Sequence, residues 1–184
     1  ARFAPIMGAV RRFAADGGLV LGICNGLQIL LESGLLPGAM LPNVGLRFIC
    51  RFVTLRVERT DTPFTSRFRI GQVVRMPIAH NEGCYTADPK SLGAVRDQAV
   101  FRYCDADGRL TQAANPNGST EAIAGLVNEA GNVLGGAGTA ASSTGTRQGE
   151  IVVVMAGEHT TTISRHGWSK SDVRRYLAEQ ARRT

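Results

Sequence analysis

The apolar run Leu19-Val20-Leu21-Gly22-Ile23 passes without a polar break into Cys24-Asn25-Gly26, where a helical pattern begins at once. A half-buried strand alternates apolar and polar residues, whereas a short unbroken run suits a strand covered on both faces, as in the middle of a parallel sheet. Such a strand needs helices around it, and the flanking sequence supplies them. Residues 4–16 place Met7, Val10, Phe13 and Ala14 at helical spacing, with Pro5 near the start and Gly17-Gly18 at the end. Asn25 to Ser33 forms a second helix, stopped by Gly34 and by Pro37-Gly38 beyond it. Helix, strand, sharp turn, helix is the order of an α/β fold built on an open sheet.

The turn itself carries chemistry. Gly22 and Gly26 flank Cys24 at minus two and plus two. Small neighbours let a strand fold straight back into a helix, which lifts the turn residue above the sheet as a nucleophile elbow does. A sulfur placed there sits at the C-terminal edge of the sheet, where open α/β folds bind ligands, and at a helix N-terminus that favours an anion. The backbone N–H of Asn25 then points at the oxygen of any carbonyl that Cys24 attacks. The pattern G-x-C-x-G also fits an ordinary strand-to-helix turn with a buried cysteine. A cysteine nucleophile further needs a base, and the three histidines are His80, His159 and His166. His80, in Pro77-Ile78-Ala79-His80-Asn81-Glu82-Gly83, follows a strand and precedes a turn, so it can reach a pocket. His159 has Glu158 beside it, but adjacent side chains rarely face the same way.

Further along, Phe48–Glu58, Gln72–Ile78 and Val100–Cys104 read as extended segments. Ile123–Val127 and Val133–Gly135 read as a strand and its return. Gly136 to Gly149 is almost wholly Gly, Ala, Ser and Thr and reads as a linker. Ile151–Met155 is a new apolar run. Ser169 or Ser171 caps a final helix to about Arg182, with Val173, Tyr176 and Leu177 on one side. The chain therefore divides into a domain over 1–135, a linker over 136–149 and a separate tail over 150–184. The net charge of +6 comes from arginines scattered along the chain, not from a basic segment with interleaved aromatics, so nucleic acid is not the expected partner. No apolar run is long enough to span a bilayer, and neither a secretory signal nor a C-x-x-C metal pair is present, so no metal is expected. Cys24, Cys50, Cys84 and Cys104 suit a reducing cytoplasm, and most of them should be small buried hydrophobes. The chain opens at Ala1 inside a helix-like pattern, so its natural N-terminus is expected upstream.

Longer words around these residues are more specific. Gly22-Ile23-Cys24-Asn25-Gly26-Leu27-Gln28-Ile29-Leu30 and Ser33-Gly34-Leu35-Leu36-Pro37-Gly38 resemble the glutaminase subunit family of phosphoribosylformylglycinamidine synthase, of purine biosynthesis. So do Phe48-Ile49-Cys50-Arg51, Thr62-Pro63-Phe64-Thr65, Pro77 to Gly83, Asn115-Pro116-Asn117-Gly118-Ser119 and Gly131 to Gly135, in the family's order, from residue 1 to about 135. The resemblance implies a class I glutamine amidotransferase with a Rossmann-like, flavodoxin-like open sheet. It implies that Cys24 attacks the side-chain amide of glutamine to give a glutamyl thioester, with Asn25 as backbone oxyanion donor. Gln28, with Gly22 and Gly26, matches the positions that hold the substrate. Ammonia then passes to a synthetase subunit, with a small accessory subunit in the same enzyme. No cofactor is implied for this subunit; ATP and magnesium belong to the synthetase. The Pro77–Gly83 word, with His80 and Glu82, is expected at the partner interface or beside the site.

Two departures from the family stand out. Its first strand and the glycine-rich loop that gives a second oxyanion donor would precede Ala1. After Gly135 the family continues Met-Met-Pro-His-Pro-Glu-Arg, whose His and Glu complete a Cys-His-Glu triad. Here Thr139 stands in place of the base and Ala141 in place of its carboxylate, and neither can take a proton from sulfur. The readings in competition are a glutaminase, a partner-binding subunit without catalysis, and another cysteine hydrolase on the same fold. The abrupt change of composition is expected from a frameshift or a chimeric gene. Translation of the alternative frames across the Leu134–Gly136 codons should then yield a His-Pro-Glu sequence; its absence from both frames would reject that origin.

Overall fold

The computed structural model describes residues 5–137, 151–157 and 160–165. Both helices expected near the N-terminus are present, α1 at Pro5–Ala15 and α2 at Asn25–Glu32, with the strand β1, Leu19–Ile23, between them. After α2 the chain forms β2 (Ala39–Leu41), β3 (Ile49–Val57), β4 (Val73–His80) and β5 (Cys84–Thr86). It continues through α3 (Leu92–Gln98), β6 (Ala99–Cys104), β7 (Ile123–Val127) and β8 (Val133–Gly136), then β9 (Ile151–Gly157) and β10 (Thr160–Arg165). Eight strands make one sheet in the order β10-β9-β1-β8-β7-β6-β3-β4, and β2 pairs with β5 in a small separate ribbon.

β1 lies parallel to both its neighbours, with Val20 opposite Val133 of β8 and Val152 of β9. This is the doubly covered parallel strand that its unbroken apolar run predicts. The remaining pairs are antiparallel, so the sheet is mixed. Short connections explain this: a turn of a few residues, such as the one between β7 and β8, can join only antiparallel neighbours. The segment expected as a separate tail supplies β9 and β10 to the same sheet. Ile151–Met155 is an unbroken run of the same kind as β1, and it lies beside β1. Most of the linker and the whole of the expected final helix fall outside the described residues.

Two apolar cores follow from the period of two along each strand. Val20, Leu126 and Val133 face one side, where Met7 and Val10 of α1 and Leu27 and Leu30 of α2 pack on them. Leu21, Val127 and Leu134 face the other, with Leu55, Met76, Ile78, Phe101 and Tyr103. The second core is enclosed by the sheet itself. Leu21 and Gly22 of β1 line the same small cavity as Met76 of β4, although four strands separate β1 from β4 in the sheet order. The sheet therefore curls into a half-barrel, which brings the C-terminal end of β4 round to the C-terminal end of β1.

The opposite end of β1 is tied down by Asn132. Its Nδ2 donates to the carbonyls of Ala14 (2.7 Å) and Gly18 (2.9 Å), joining the β7–β8 turn to the α1–β1 turn.

Close approach of α2 to β1 explains Gly22. A Cβ there would lie 2.4 Å from Cδ1 of Leu30 and 2.7 Å from the carbonyl oxygen of Gly26. The backbone contact cannot yield as a side chain can. We expect Gly22→Ala to lower stability by about 2 kcal/mol or more in denaturant unfolding, and a loss indistinguishable from zero would contradict this packing.

Candidate active site around Cys24

Cys24 caps α2 with φ 53° and ψ −112°. A non-glycine residue seldom adopts this conformation, and holding one there costs about 1–3 kcal/mol. The neighbours hold it on both sides. The N–H of Cys24 donates to the carbonyl of Gly136 at the end of β8 (2.9 Å), and the carbonyl of Cys24 accepts from Leu27 in the first turn of α2 (2.9 Å). The elbow is therefore real, and Gly22 is the residue that makes room for it. Cys24 is half-buried, the side chain of Asn25 is exposed, and Gly26 is buried in the first helical turn.

The end of β4 and the loop after it form a wall over this turn. Sγ of Cys24 lies 3.8 Å from the carbonyl oxygen of Ala79, a long S–H···O contact. Nε2 of Gln28, one turn along α2, donates to the carbonyl of Glu82 at 3.0 Å. The sequence words around Cys24 and around His80, more than fifty residues apart, thus form one site. Gln28 and Glu82 meet through a backbone carbonyl; the carboxylate of Glu82 belongs to an exposed residue.

His80 differs from the loop residue expected. It is the last residue of β4, 7% exposed, and neither ring nitrogen has a hydrogen-bond partner. Its ring lies on Gly83, where a Cβ would fall 2.0–2.6 Å from three ring atoms. Glycine at 83 is what leaves space for the imidazole. Burial lowers the His80 pKa from its ordinary value, against a smaller opposing effect of a backbone hydrogen bond.

Buried polar side chains support the wall from behind, Asn43 carrying no mark in the sequence and Asn117 and Ser119 appearing there only as part of a family word. Asn43 Oδ1 accepts from the N–H of Gly83 (3.0 Å), and Asn43 Nδ2 donates to the carbonyl of His80 (2.9 Å). Asn117 Nδ2 donates to the carbonyl of Gly83 (2.6 Å) and to the hydroxyl of Tyr103 (3.1 Å). Ser119 Oγ donates towards the same carbonyl at 3.2 Å. The Tyr103 phenol is pushed up, first by burial and then by the nearby thiols of Cys24 and Cys84, against the lowering effect of the Asn117 bond. Asn117 and Ser119 belong to a word that reads simply as a turn cluster, and asparagine in a turn gives no sign of a long-range partner. Of the other cysteines, Cys84 and Cys104 are buried as expected, while Cys50 is exposed on β3. β3 turns its Cys50 face to solvent at the end where the strand meets only β4.

His159, Glu158, His166, Thr139 and Ala141 lie outside the described residues. Among the described residues no group of three His, Cys, Asp or Glu side chains could hold a metal ion, and no helix is long and apolar enough to cross a membrane. What the arrangement offers is a half-buried thiol on a strained elbow, a helix N-terminus under it, and a wall of backbone carbonyls facing it. Such a wall can accept hydrogen bonds from an ammonium or amide group.

The model of one family, the CobB/CobQ-like glutamine amidotransferase domain, matches residues 2–153. The chain belongs to this family. Among similar proteins, the phosphoribosylformylglycinamidine synthase subunit PurQ of Moorella thermoacetica is 62% identical over 137 residues, 73% of this chain and 58% of the relative. The PurQ subunit of Koribacter versatilis is 57% identical over 137 residues, 73% of this chain and 59% of its own. A chain in the solved structure of PurLQS from Thermotoga maritima superposes with a TM-score of 0.60 at 43% identity, over 70% of this chain and 54% of that one. The chain thus spans less than two thirds of the length of each of these relatives. The amidotransferase fold is the α/β class expected from the sequence, its sheet curled and mixed.

Two outcomes follow from the site's geometry. Because glycine tolerates φ 53° and alanine does not, Cys24→Gly should be more stable than Cys24→Ala by about 1 kcal/mol in thermal unfolding. Equal stabilities would mean that the elbow is unstrained. For His80, the folded pKa lies below the ordinary 6.5, so the unfolded chain binds the proton first as pH falls. Its contribution is complete above pH 6.5 and is lost as pH drops towards the lowered folded value. The thermal midpoint of His80→Gln should therefore fall less steeply than that of the parent chain below that pH; parallel curves would show that His80 is not buried neutral.

Proposed function

We propose that the chain is the glutamine-hydrolysing part of phosphoribosylformylglycinamidine synthase, with Cys24 as nucleophile. The observation that carries this reading is the strained elbow at Cys24, φ 53° and ψ −112°, within a chain of the amidotransferase family. Sγ attacks the side-chain amide carbon of glutamine, and the developing oxyanion takes a hydrogen bond from the N–H of Asn25. Collapse of the tetrahedral intermediate breaks the C–N bond as the thiol's proton passes to the departing nitrogen, so ammonia leaves and a glutamyl thioester remains. Water then hydrolyses the thioester, yielding glutamate and the free thiol. Gln28 lies one helical turn beyond Cys24, and its amide already binds the wall at Glu82. This supports a role for Gln28 in holding the substrate, with Gly22 and Gly26, whose lack of side chains lets the elbow close. The Ala79–Glu82 wall is the second side of the substrate cleft, and His80 shapes it from within.

We infer as the wider setting a synthetase subunit that receives the ammonia, with a small accessory subunit, in the cytoplasm; the relatives' naming as synthase subunits supports a multi-subunit assembly. ATP and magnesium are used by the synthetase, and this chain binds no cofactor of its own. One observation favours a second reading, a partner-binding subunit with little catalysis: Thr139 and Ala141 stand where the family keeps its His and Glu.

Ammonia release from glutamine, with and without the Moorella thermoacetica synthetase, separates the two readings. We expect turnover at least about a thousandfold below that of a variant in which the family's Met-Met-Pro-His-Pro-Glu-Arg replaces the sequence after Gly135. Turnover of the parent chain equal to that variant would overturn the loss of the base. Failure of both to release ammonia would overturn the glutaminase reading.

A further inference from the structure

The Gly83 peptide is held by three buried side chains, none of which belongs to the cysteine elbow. Its N–H donates to Oδ1 of Asn43 (3.0 Å), and its carbonyl accepts from Nδ2 of Asn117 (2.6 Å) and Oγ of Ser119 (3.2 Å). Asn43 and Asn117 are each fully buried at 0% exposure. They are joined through the backbone as well, because Val44 donates to the carbonyl of Asn117 (3.1 Å) and Asn43 to that of Asn81 (2.9 Å). Nδ2 of Asn43 also fixes the carbonyl of His80. The chain between Ala79 and Gly83 is thus gripped at His80, Asn81 and Gly83. The carbonyls left free to face outward are those of Ala79, at Sγ of Cys24, and Glu82, at the Gln28 amide.

We propose that Asn43 and Asn117 are positioning residues of the Cys24 site: by clamping the Gly83 peptide they set the height of the Ala79–Glu82 wall above the thiol. The inference rests on the glutaminase reading for what the cleft binds, but the clamp itself is a matter of geometry. A buried asparagine turned into aspartate keeps its shape and loses its donors, so Asn117→Asp leaves the Gly83 carbonyl only its longer bond from Ser119, and Asn43→Asp frees the His80 carbonyl. The wall then moves off the thiol. A small reagent should reach Cys24 more easily, since the Ala79 carbonyl no longer lies against Sγ. A reagent shaped like glutamine should bind less well, since its cleft has lost one side.

The test uses the full 184-residue chain and two alkylating agents, with modification of Cys24 followed by peptide mass at neutral pH. One is iodoacetamide; the other is a glutamine-shaped chloromethyl ketone, in which CH2Cl replaces the amide NH2. In Asn117→Asp and Asn43→Asp, iodoacetamide should react about threefold faster and the ketone about tenfold more slowly at low concentration. Asn132→Asp is the control, because Asn132 is equally a buried clamp but at the far end of β1. It should lower the thermal midpoint and leave both rates unchanged. Ser119→Ala, which removes the 3.2 Å bond to Gly83, the link to Asn117 and the acceptor of the Tyr85 N–H, should shift both rates the same way by a smaller factor. It carries the test if the aspartate variants do not fold. Unchanged rates in the clamp variants, or equal changes in Asn132→Asp, would overturn the proposal. A parent chain that shows no saturable preference for the ketone overturns the glutaminase reading instead; the iodoacetamide rates still judge the clamp.

Discussion

The site depends on the meeting of two strand ends that the sheet order keeps apart. β1 ends at the cysteine elbow and β4 ends at His80, with β8, β7, β6 and β3 between them. Only the curl of the sheet closes that gap, and the curl is maintained by the core inside it. Leu21, Leu134, Val127, Phe101, Leu55 and Met76 come from six successive strands and pack together on the concave face. A right-handed twist between neighbouring strands accumulates across such a sheet, and apolar burial on one face favours closing it further. The position of Ala79 relative to Cys24 is therefore set by side chains far from either. Large-to-small changes in this core should be read as changes to the site as well as to stability.

Strain and support are arranged in opposition around this meeting point. The elbow holds Cys24 in a conformation that an ordinary residue avoids, and that cost must be met by contacts elsewhere. Gly136 and Leu27 supply backbone hydrogen bonds to Cys24 from two different elements. On the facing side, Asn43 and Asn117 immobilise the wall with bonds between groups wholly withdrawn from water. A buried amide with its partners satisfied is rigid, and one left unsatisfied is expensive. Both walls of the cleft are thus held before any substrate enters, which is what differential binding of a transition state requires. His80 departs from this pattern, with two unpartnered nitrogens in a buried ring. The ring fills space against Gly83 where any other residue at 83 would collide.

How far the sequence reveals this differs by the range of the interaction. The elbow was legible because its determinants are local: an apolar run, Gly22 two residues before Cys24, and a helix directly after. β1, α1 and α2 were legible for the same reason. The pairing of Gln28 with Glu82 was accessible only as two separate words, since periodicity says nothing about which loop a curled sheet brings over a helix. The contacts of Asn43 and Asn117 were invisible. Asparagine is ordinarily a turn residue, and partners 34 and 40 residues away leave no local mark. His80 was placed in a loop because the turn signal of Asn81-Glu82-Gly83 overlaps the strand's last residue.

The change of composition after Gly135 takes on a different meaning once the elbow's contacts are known. Ile23 pairs with Gly136, and the N–H of Cys24 donates to the Gly136 carbonyl. Gly136 is the last residue of β8. A carbonyl is supplied by any residue type, so this bond to Cys24 does not depend on the side chain at 136, while β9 flanks the elbow strand on its other edge. The base has no such tolerance. A base for a cysteine nucleophile must be a particular side chain, and a threonine cannot serve as one. The glutaminase reading therefore has two requirements of different kinds. The conformation of Cys24 and the wall facing it are held by backbone and buried amide contacts among the described residues; a base is a matter of one side chain's identity, which no such contact supplies.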